Sequence, residues 1–184
     1  MKIQRITYLS LGTNLGDKNE NLQQAIEHIA EKVGDIRKIS SVYQTASWGF
    51  ESADFYNICL EVSTYHAPEI LMKILLGIET NLGRKRINST TYLDRNIDID
   101  ILLFDEEIIF SKLLTVPHPK MLLRKFVMMP LVEIAPSFFH PIERKQLSVC
   151  LQHCEDASEI IKTDSYLKRP IPIVEKYNYI AIEG

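Results

Sequence analysis

The chain has 184 residues and a mass of 21.2 kDa, with 21 basic against 24 acidic side chains and a formal net charge of −3. A length of this order fits one domain with at most an appendage, and it buries roughly 70% of its unfolded surface without a disulfide or metal framework. Hydrophobic residues at 46% and charged residues at 24% exclude a disordered chain, and a pI of about 6.0 excludes a surface given over to nucleic acid while leaving room for a local basic patch.

Residues 5–11 (RITYLSL) form a short β-prone run that stops at Gly12, and Gly12, Asn14, Gly16 and Asp17 read as turn residues. Leu22, Ala25, Ile26, Ile29, Ala30 and Val33 then recur at helical spacing, and Gly34 closes that helix. Residues 39–45 (ISSVYQT) read as one strand. After a loop with Trp48 and Gly49, Tyr56, Ile58, Leu60 and Val62 alternate with Asn57, Cys59, Glu61 and Ser63, the period-2 pattern of a half-buried strand. Pro68 opens a second helix through Ile70, Leu71, Ile74, Leu75, Ile78 and Leu82, stopped by Gly83. A basic, aperiodic segment from Arg84 to Asn96 leads into a strand at residues 97–104 (IDIDILLF), with Ile108 and Ile109 pairing beside it. Helices are expected at residues 128–134 and 147–154. The fold class is therefore α+β: a ferredoxin-like βαββαβ core with an antiparallel sheet, helices mainly on one face, and extra C-terminal helices.

No apolar run reaches the roughly 20 residues that cross a bilayer, and residues 1–5 lack a signal-peptide core, so no membrane partner is expected. Three cysteines (Cys59, Cys150, Cys154) are too few for a disulfide framework and fit a reducing, cytoplasmic setting.

Several constellations carry chemistry. Asp98 and Asp100, at i and i+2 of a strand, project from one face while isoleucines fill the other. Two carboxylates so placed repel unless a cation sits between them, and paired hard oxygens suit Mg²⁺ beside substrate phosphates; in isolation they also read as a solvated strand face. Arg84, Lys85, Arg86 and Arg95 form a basic loop whose guanidinium forks match phosphate oxygens. His118, held between Pro117 and Pro119, is stiffly placed to donate to a phosphate or act as an acid. Gly12, Gly16 and Lys18 fail as a P-loop, because the spacing is one residue short and no Ser or Thr follows the lysine. Cys150, His153 and Cys154 share a helical face, which reads as an ordinary half-buried helix or, with His140, as a zinc site.

Taken together these residues resemble a known family, the 6-hydroxymethyl-7,8-dihydropterin pyrophosphokinases of folate biosynthesis. The resemblance rests on LSLGTNLG at 9–16, SVYQT at 41–45 with Trp48 and Gly49, DFYN at 54–57, Glu79 with GRKR at 83–86, DRNIDIDIL at 94–102, and LTVPHP at 114–119 with Arg124, Lys125 and Phe126. It implies transfer of the terminal diphosphate of ATP to the pterin hydroxymethyl group, releasing AMP. It further implies two Mg²⁺ ions on Asp98 and Asp100. Arg84 and Arg95 would join these aspartates as catalytic residues, and ATP would meet Glu79, Arg84, Arg86, Arg95, His118 and Arg124. Phe55 and Phe126 would sandwich the pterin, with Asn57, Thr45, Trp48 and Tyr92 as further contacts. Tyr92, Leu93 and Asp94 stand where many members have Trp-Gly-Pro, Ser47 where proline is common, and Leu123 where a polar residue is frequent.

The resemblance assigns residues 1–162 to the pyrophosphokinase domain and leaves 163–184 as linker and extension. Residues 177–184 (YNYIAIEG) resemble the first strand of a deoxynucleoside kinase, implying fusion to such a domain. Two other uses of a ferredoxin-like sheet fit less well. Asp98 and Asp100 on the expected central strand would repel RNA. A small-molecule sensor gives no reason for the aspartates, the arginine loop and His118 to occur together.

Overall fold

The computed structural model describes residues 3–46, 53–84 and 96–171. In order, the elements are β1 (Arg5–Thr13), α1 (Lys18–Lys32), β2 (Gly34–Ile39), β3 (Tyr43–Thr45), β4 (Phe55–Thr64), α2 (Pro68–Asn81), β5 (Asp98–Phe104), β6 (Ile109–Phe110), β7 (Thr115–Val116), α3 (Lys125–Ile134), α4 (Leu147–Gln152) and β8 (Ile160–Lys162). The main sheet is antiparallel throughout, with the order β5-β1-β4-β3-β8 and β2 sharing the β4 edge with β3. This is the ferredoxin-like arrangement, extended by β8.

Local chemistry sets the helix ends. Asp17 accepts the Glu20 N–H at 3.0 Å to start α1, and Pro68 takes the first position of α2, where a missing N–H costs nothing. Leu22, Ile26 and Ile29 of α1 and Leu71, Leu75 and Ile78 of α2 bury against Leu9, Leu11, Ile58, Leu60, Ile99 and Ile101 on one face of the sheet. On the other face Tyr8, Cys59, Leu102 and Leu103 pack under α3 and α4 through Val127, Met128, Leu131, Leu147 and Cys150. The C-terminal helices thus cover the second face. For that reason β4 is buried on both sides, Asn57, Cys59 and Ser63 included, rather than half-buried as its alternation predicts.

Three further expectations change. Gly34 ends a helix but also opens β2. A Cβ there would lie 2.1 Å from the Ser63 carbonyl oxygen, so only glycine permits this close pairing with β4. The single strand expected at residues 39–45 is interrupted. Ser40 leaves the ladder, its N–H donating to Cys59 O and its hydroxyl accepting the Cys59 N–H, and pairing resumes at Tyr43 with the register slipped by one residue. Ile109 pairs with Val116 in a separate two-stranded ribbon, not beside β5, because the chain reverses at Asp105 with φ of 43°.

Beyond α4 the chain adds β8 to the sheet edge, the Thr163 N–H donates to Val42 O, Leu167 packs on the first core, and Lys168 exchanges two backbone hydrogen bonds with the Gln23 side chain. Residues 177–184 lie outside the described residues. Among the described residues no helix is long and apolar enough to cross a membrane.

Candidate active site

At one end of the central strands the second apolar core gives way to polar and small residues. Gly12 of β1 pairs with Asp98 of β5 on one side and Asn57 of β4 on the other; the next row holds Asp100, Ser10 and Cys59. The sequence places Gly12 in a turn, whereas β1 runs on through it to Thr13. It leaves a gap in the sheet face. A Cβ there would come within 3.2 Å of Asn57 Oδ1 and 4.0 Å of the Phe55 ring.

The alternation of β5 works as its sequence predicts. Ile99 and Ile101 enter the first core, while Asp98 and Asp100 face the same side as Leu102. Glu79, in the last turn of α2, is only 1% exposed. Its carboxylate accepts the Ile99 N–H at 2.8 Å and pairs with the Arg84 guanidinium, which also pairs with Asp98. Arg84 is therefore tied at once to the helix, through Glu79, and to the strand, through Asp98. Gly83 (φ 88°) turns the chain there, and Asn96 Nδ2 donates to Leu82 O at 3.1 Å, closing the base of the segment between them.

The electrostatics converge on Asp100. Burial, then the neighbouring Asp98 charge, push its carboxyl well above the usual carboxylate range, against the pull of Arg124 and Arg84. His118 lies in the same field. Burial and the Arg124 charge lower it to about 4, so its imidazole is neutral at pH 7. The His118 backbone N–H donates to Leu102 O at 2.9 Å, and Nδ1 accepts the Lys120 N–H at 3.2 Å, which puts the proton of the neutral ring on Nε2. Glu79, Arg84, Asp98, Asp100, His118 and Arg124, distant in sequence, thus form one electrostatic cluster.

The ring-contact candidates occupy the adjoining surface. Asn57, 3% exposed, donates from Nδ2 to Thr45 Oγ1 at 3.0 Å, which directs Oδ1 toward the Gly12 gap. Thr45 pairs with Phe55 across β3 and β4. Arg124 and Phe126 stand at the start of α3, with the Arg124 guanidinium 5.7 Å from the Phe126 ring centre, and the following Val127 carbonyl contacts Cys59 Sγ at 3.7 Å. Trp48, Arg86, Tyr92 and Arg95 lie outside the described residues. Cys150 packs into the second core, His153 bonds back to Val149 O, and among the described residues no cluster of three or more His, Cys, Asp or Glu side chains is placed to hold a metal.

A ferredoxin-like sheet thus gathers two carboxylates, two arginines and a neutral histidine at one strand end, a set of groups whose chemistry suits phosphate oxygens. Comparison with known proteins is specific. The family described as 7,8-dihydro-6-hydroxymethylpterin-pyrophosphokinase (HPPK) matches residues 8–136. The chain is 43% identical to the 2-amino-4-hydroxy-6-hydroxymethyldihydropteridine pyrophosphokinase of Aquifex aeolicus over 76% of this chain and 86% of that protein. It is 39% identical to the Bacillus subtilis enzyme of the same name, over 72% and 79%. The chain belongs to this family of pyrophosphokinases. It also matches, at 39% identity, 20% of the longer folic acid synthesis protein FOL1 of Dictyostelium discoideum. Among solved structures, wild-type Plasmodium falciparum HPPK-DHPS shares the fold, with a TM-score of 0.67 at 16% identity over 83% of this chain and 45% of that one.

Proposed function

We propose that this protein transfers the terminal diphosphate of ATP to the hydroxymethyl oxygen of 6-hydroxymethyl-7,8-dihydropterin. A bond forms between that oxygen and the β-phosphorus, the bond from the β-phosphorus to the oxygen bridging it to the α-phosphorus breaks, AMP leaves, and the hydroxyl proton is lost. The observation that carries the reading is the meeting of Asp98, Asp100, Arg84, His118 and Arg124 at one strand end in a chain of this family.

The aspartate pair suits Mg²⁺. Two oxygen donors lie on one face, and Asp100 resists ionisation beside Asp98, so a cation relieves a repulsion already present. The pair supplies few protein oxygens, which fits ions that complete their shells with water and phosphate oxygens. Asp98 and Asp100 would hold two such ions. Bound there, Mg²⁺ supplies charge neutralisation along the polyphosphate and at the reacting phosphorus.

The residues divide the remaining work. Arg84, oriented by Glu79, presents a guanidinium to phosphate oxygens, and Arg86 and Arg95 add charge from the same loop. Glu79 acts on the nucleotide side through this orientation. His118 donates from Nε2, and Arg124 at the start of α3 balances charge beside it. The pterin lies between Phe55 and Phe126, with Asn57 Oδ1 accepting from its lactam edge, Thr45 and Trp48 at its rim, and Tyr92 capping the closed site. Free cysteines, two of them buried, support a reducing, cytoplasmic setting. On the sequence of residues 177–184 we also propose fusion to a deoxynucleoside kinase; a reading frame continuing as GxxxxGK[ST] from Gly184 would support it, and a stop codon there would overturn it.

The test is product identity with ATP, Mg²⁺ and the reduced pterin. AMP formed only with pterin, and lost in Asp98→Ala, is the expected result. ADP would overturn the chemistry, and pterin binding without turnover would make the protein a binding module.

A further inference from the structure

The first turn of α3 carries Arg124 and Phe126, yet it has no cap of its own. Arg124, at the N-cap, adopts an extended backbone (φ −123°, ψ 103°) and its side chain accepts nothing from the helix. A helix start left so near a buried site needs a partner for its free N–H groups. That partner comes from 31 residues later. Asp156 Oδ2 accepts the Lys125 N–H at 2.9 Å, while Asp156 Oδ1 accepts both the N–H (2.9 Å) and the hydroxyl of Ser158. Lys125 Nζ returns to Ser158 O at 3.3 Å.

The chain then enters β8 at once. Ile160 pairs with Thr45, Ile161 with Gln44 and Lys162 with Tyr43. Residues 156–162 therefore form a strap. One end grips the α3 turn that bears Arg124 and Phe126, and the other is laddered to the strand that bears Thr45, itself bonded to Asn57. The far end of α3 is held separately. Glu133 accepts from the Ser41 N–H at 2.9 Å, the Ser41 hydroxyl at 2.7 Å and Tyr43 OH at 3.1 Å, and it pairs with Lys162 at 3.0 Å. Against the cost of burial, the hydrogen bonds from Ser158 and Lys125 keep the Asp156 carboxyl below its ordinary range, so it is ionised at neutral pH, the state a helix N-terminus favours.

We propose that Asp156 is a positioning residue that sets the width of the ring cleft, by fixing the Arg124–Phe126 turn of α3 against the β3 wall. This rests on the reading above, in which Phe126 and Asn57 face the pterin. It bears less on the nucleotide side: α2 and Arg84 are held by Glu79 and Asp98, while the His118 turn joins the start of α3 through the Met121 N–H to His118 O and the Arg124 N–H to Met121 O.

Pterin and ATP dissociation constants, measured separately by titration on the full chain, test it, with a thermal melt for each variant. Removing a helix cap costs enough to weaken ring binding about five- to tenfold in Asp156→Ala, while ATP, which meets this turn through Arg124 but is held also from α2 and β5, loses about two- to threefold. Asp156→Asn, which keeps an acceptor for Lys125, recovers most of the loss, and Ser158→Ala gives a smaller loss of the same kind. Unchanged pterin affinity in Asp156→Ala, or equal losses for both ligands with a lowered melting temperature, would overturn the proposal. If Asp156→Ala does not fold, Asp156→Asn and Ser158→Ala decide: a pterin-selective loss supports it, and wild-type affinity in both overturns it. A folded wild-type protein that binds no pterin would overturn the functional reading first, and this inference with it.

Discussion

Replacing Gly12 by alanine tests the geometry of the ring site with a single methyl group. Gly12 lies in an extended strand with ordinary backbone angles, so alanine fits the chain itself and gains about 0.5–1 kcal/mol by restricting the unfolded state. The new Cβ would meet Asn57 Oδ1 at 3.2 Å and the Phe55 ring at 4.0 Å, tight but tolerable with a small shift of the amide. The two effects oppose each other, so net stability changes by less than about 1 kcal/mol, or less than about 4 °C in Tm for a chain of this size. For a ring lying over the gap the outcome differs. An extra methyl in a filled cavity costs about 1–3 kcal/mol, which weakens pterin binding about 5- to 150-fold. Fluorescence titration of the pterin alongside a thermal melt measures both. A normal Tm with wild-type pterin affinity would refute the placement of the ring over Gly12, and a Tm lowered by about 10 °C or more would show the gap to be tightly packed instead.

Glu79→Ala leaves the Ile99 N–H and Arg84 without their buried partner; it should lower unfolding free energy by about 2–4 kcal/mol in urea titrations and abolish AMP formation, whereas Glu79→Gln should restore much of the stability and little of the activity. Asp100 is raised, so the folded protein holds a proton that the unfolded chain has lost; without divalent ions, stability should fall as pH rises from the ordinary carboxylate range through about 7, and Asp100→Asn should flatten that slope in urea midpoints taken across pH. His118 is lowered and acts with the opposite sign. The unfolded chain takes up its proton first, so stability should be lost as pH falls from 6.5 toward about 4, and His118→Gln should remove that loss. Chelation by EDTA should stop AMP formation, and at pH 8 restoring Mg²⁺ should raise Tm, as cation binding to Asp98 and Asp100 would require.

The βαββαβ order and the aspartate pair were legible because each depends on local period. Alternation put Asp98 and Asp100 on one face, and the 3.6-residue spacing marked α1 and α2. What escaped was non-local. β2 has only Ile36 and Ile39 as apolar residues and lies at a sheet edge, where its hydrogen bonds come from β4 rather than from a pattern of its own. Gly12 carried a usable signal, since glycine inside a β-prone run often marks a close approach, but the nearby Asn14 and Gly16 disguised it as a turn. Glu79 was found only by resemblance. Its grip on both Arg84 and Ile99 exists because α2 packs beside β5. Asp156 left no sequence trace, its partner Lys125 lying 31 residues upstream.

The pairing of Arg84 also governs how this end of the sheet meets an anion. Its guanidinium serves as a resident counter-ion, shared between a carboxylate sealed from solvent and one that is about one-quarter exposed. These two contacts are unequal in permanence. Asp98 lies where solvent and other charges reach it, while Glu79 is sealed behind the guanidinium. An arriving anion therefore competes only for the outer contact, and the inner one keeps the fork aimed throughout the exchange. Anion binding here is a substitution of partners on a guanidinium already in place, not the creation of a new charge in a buried site.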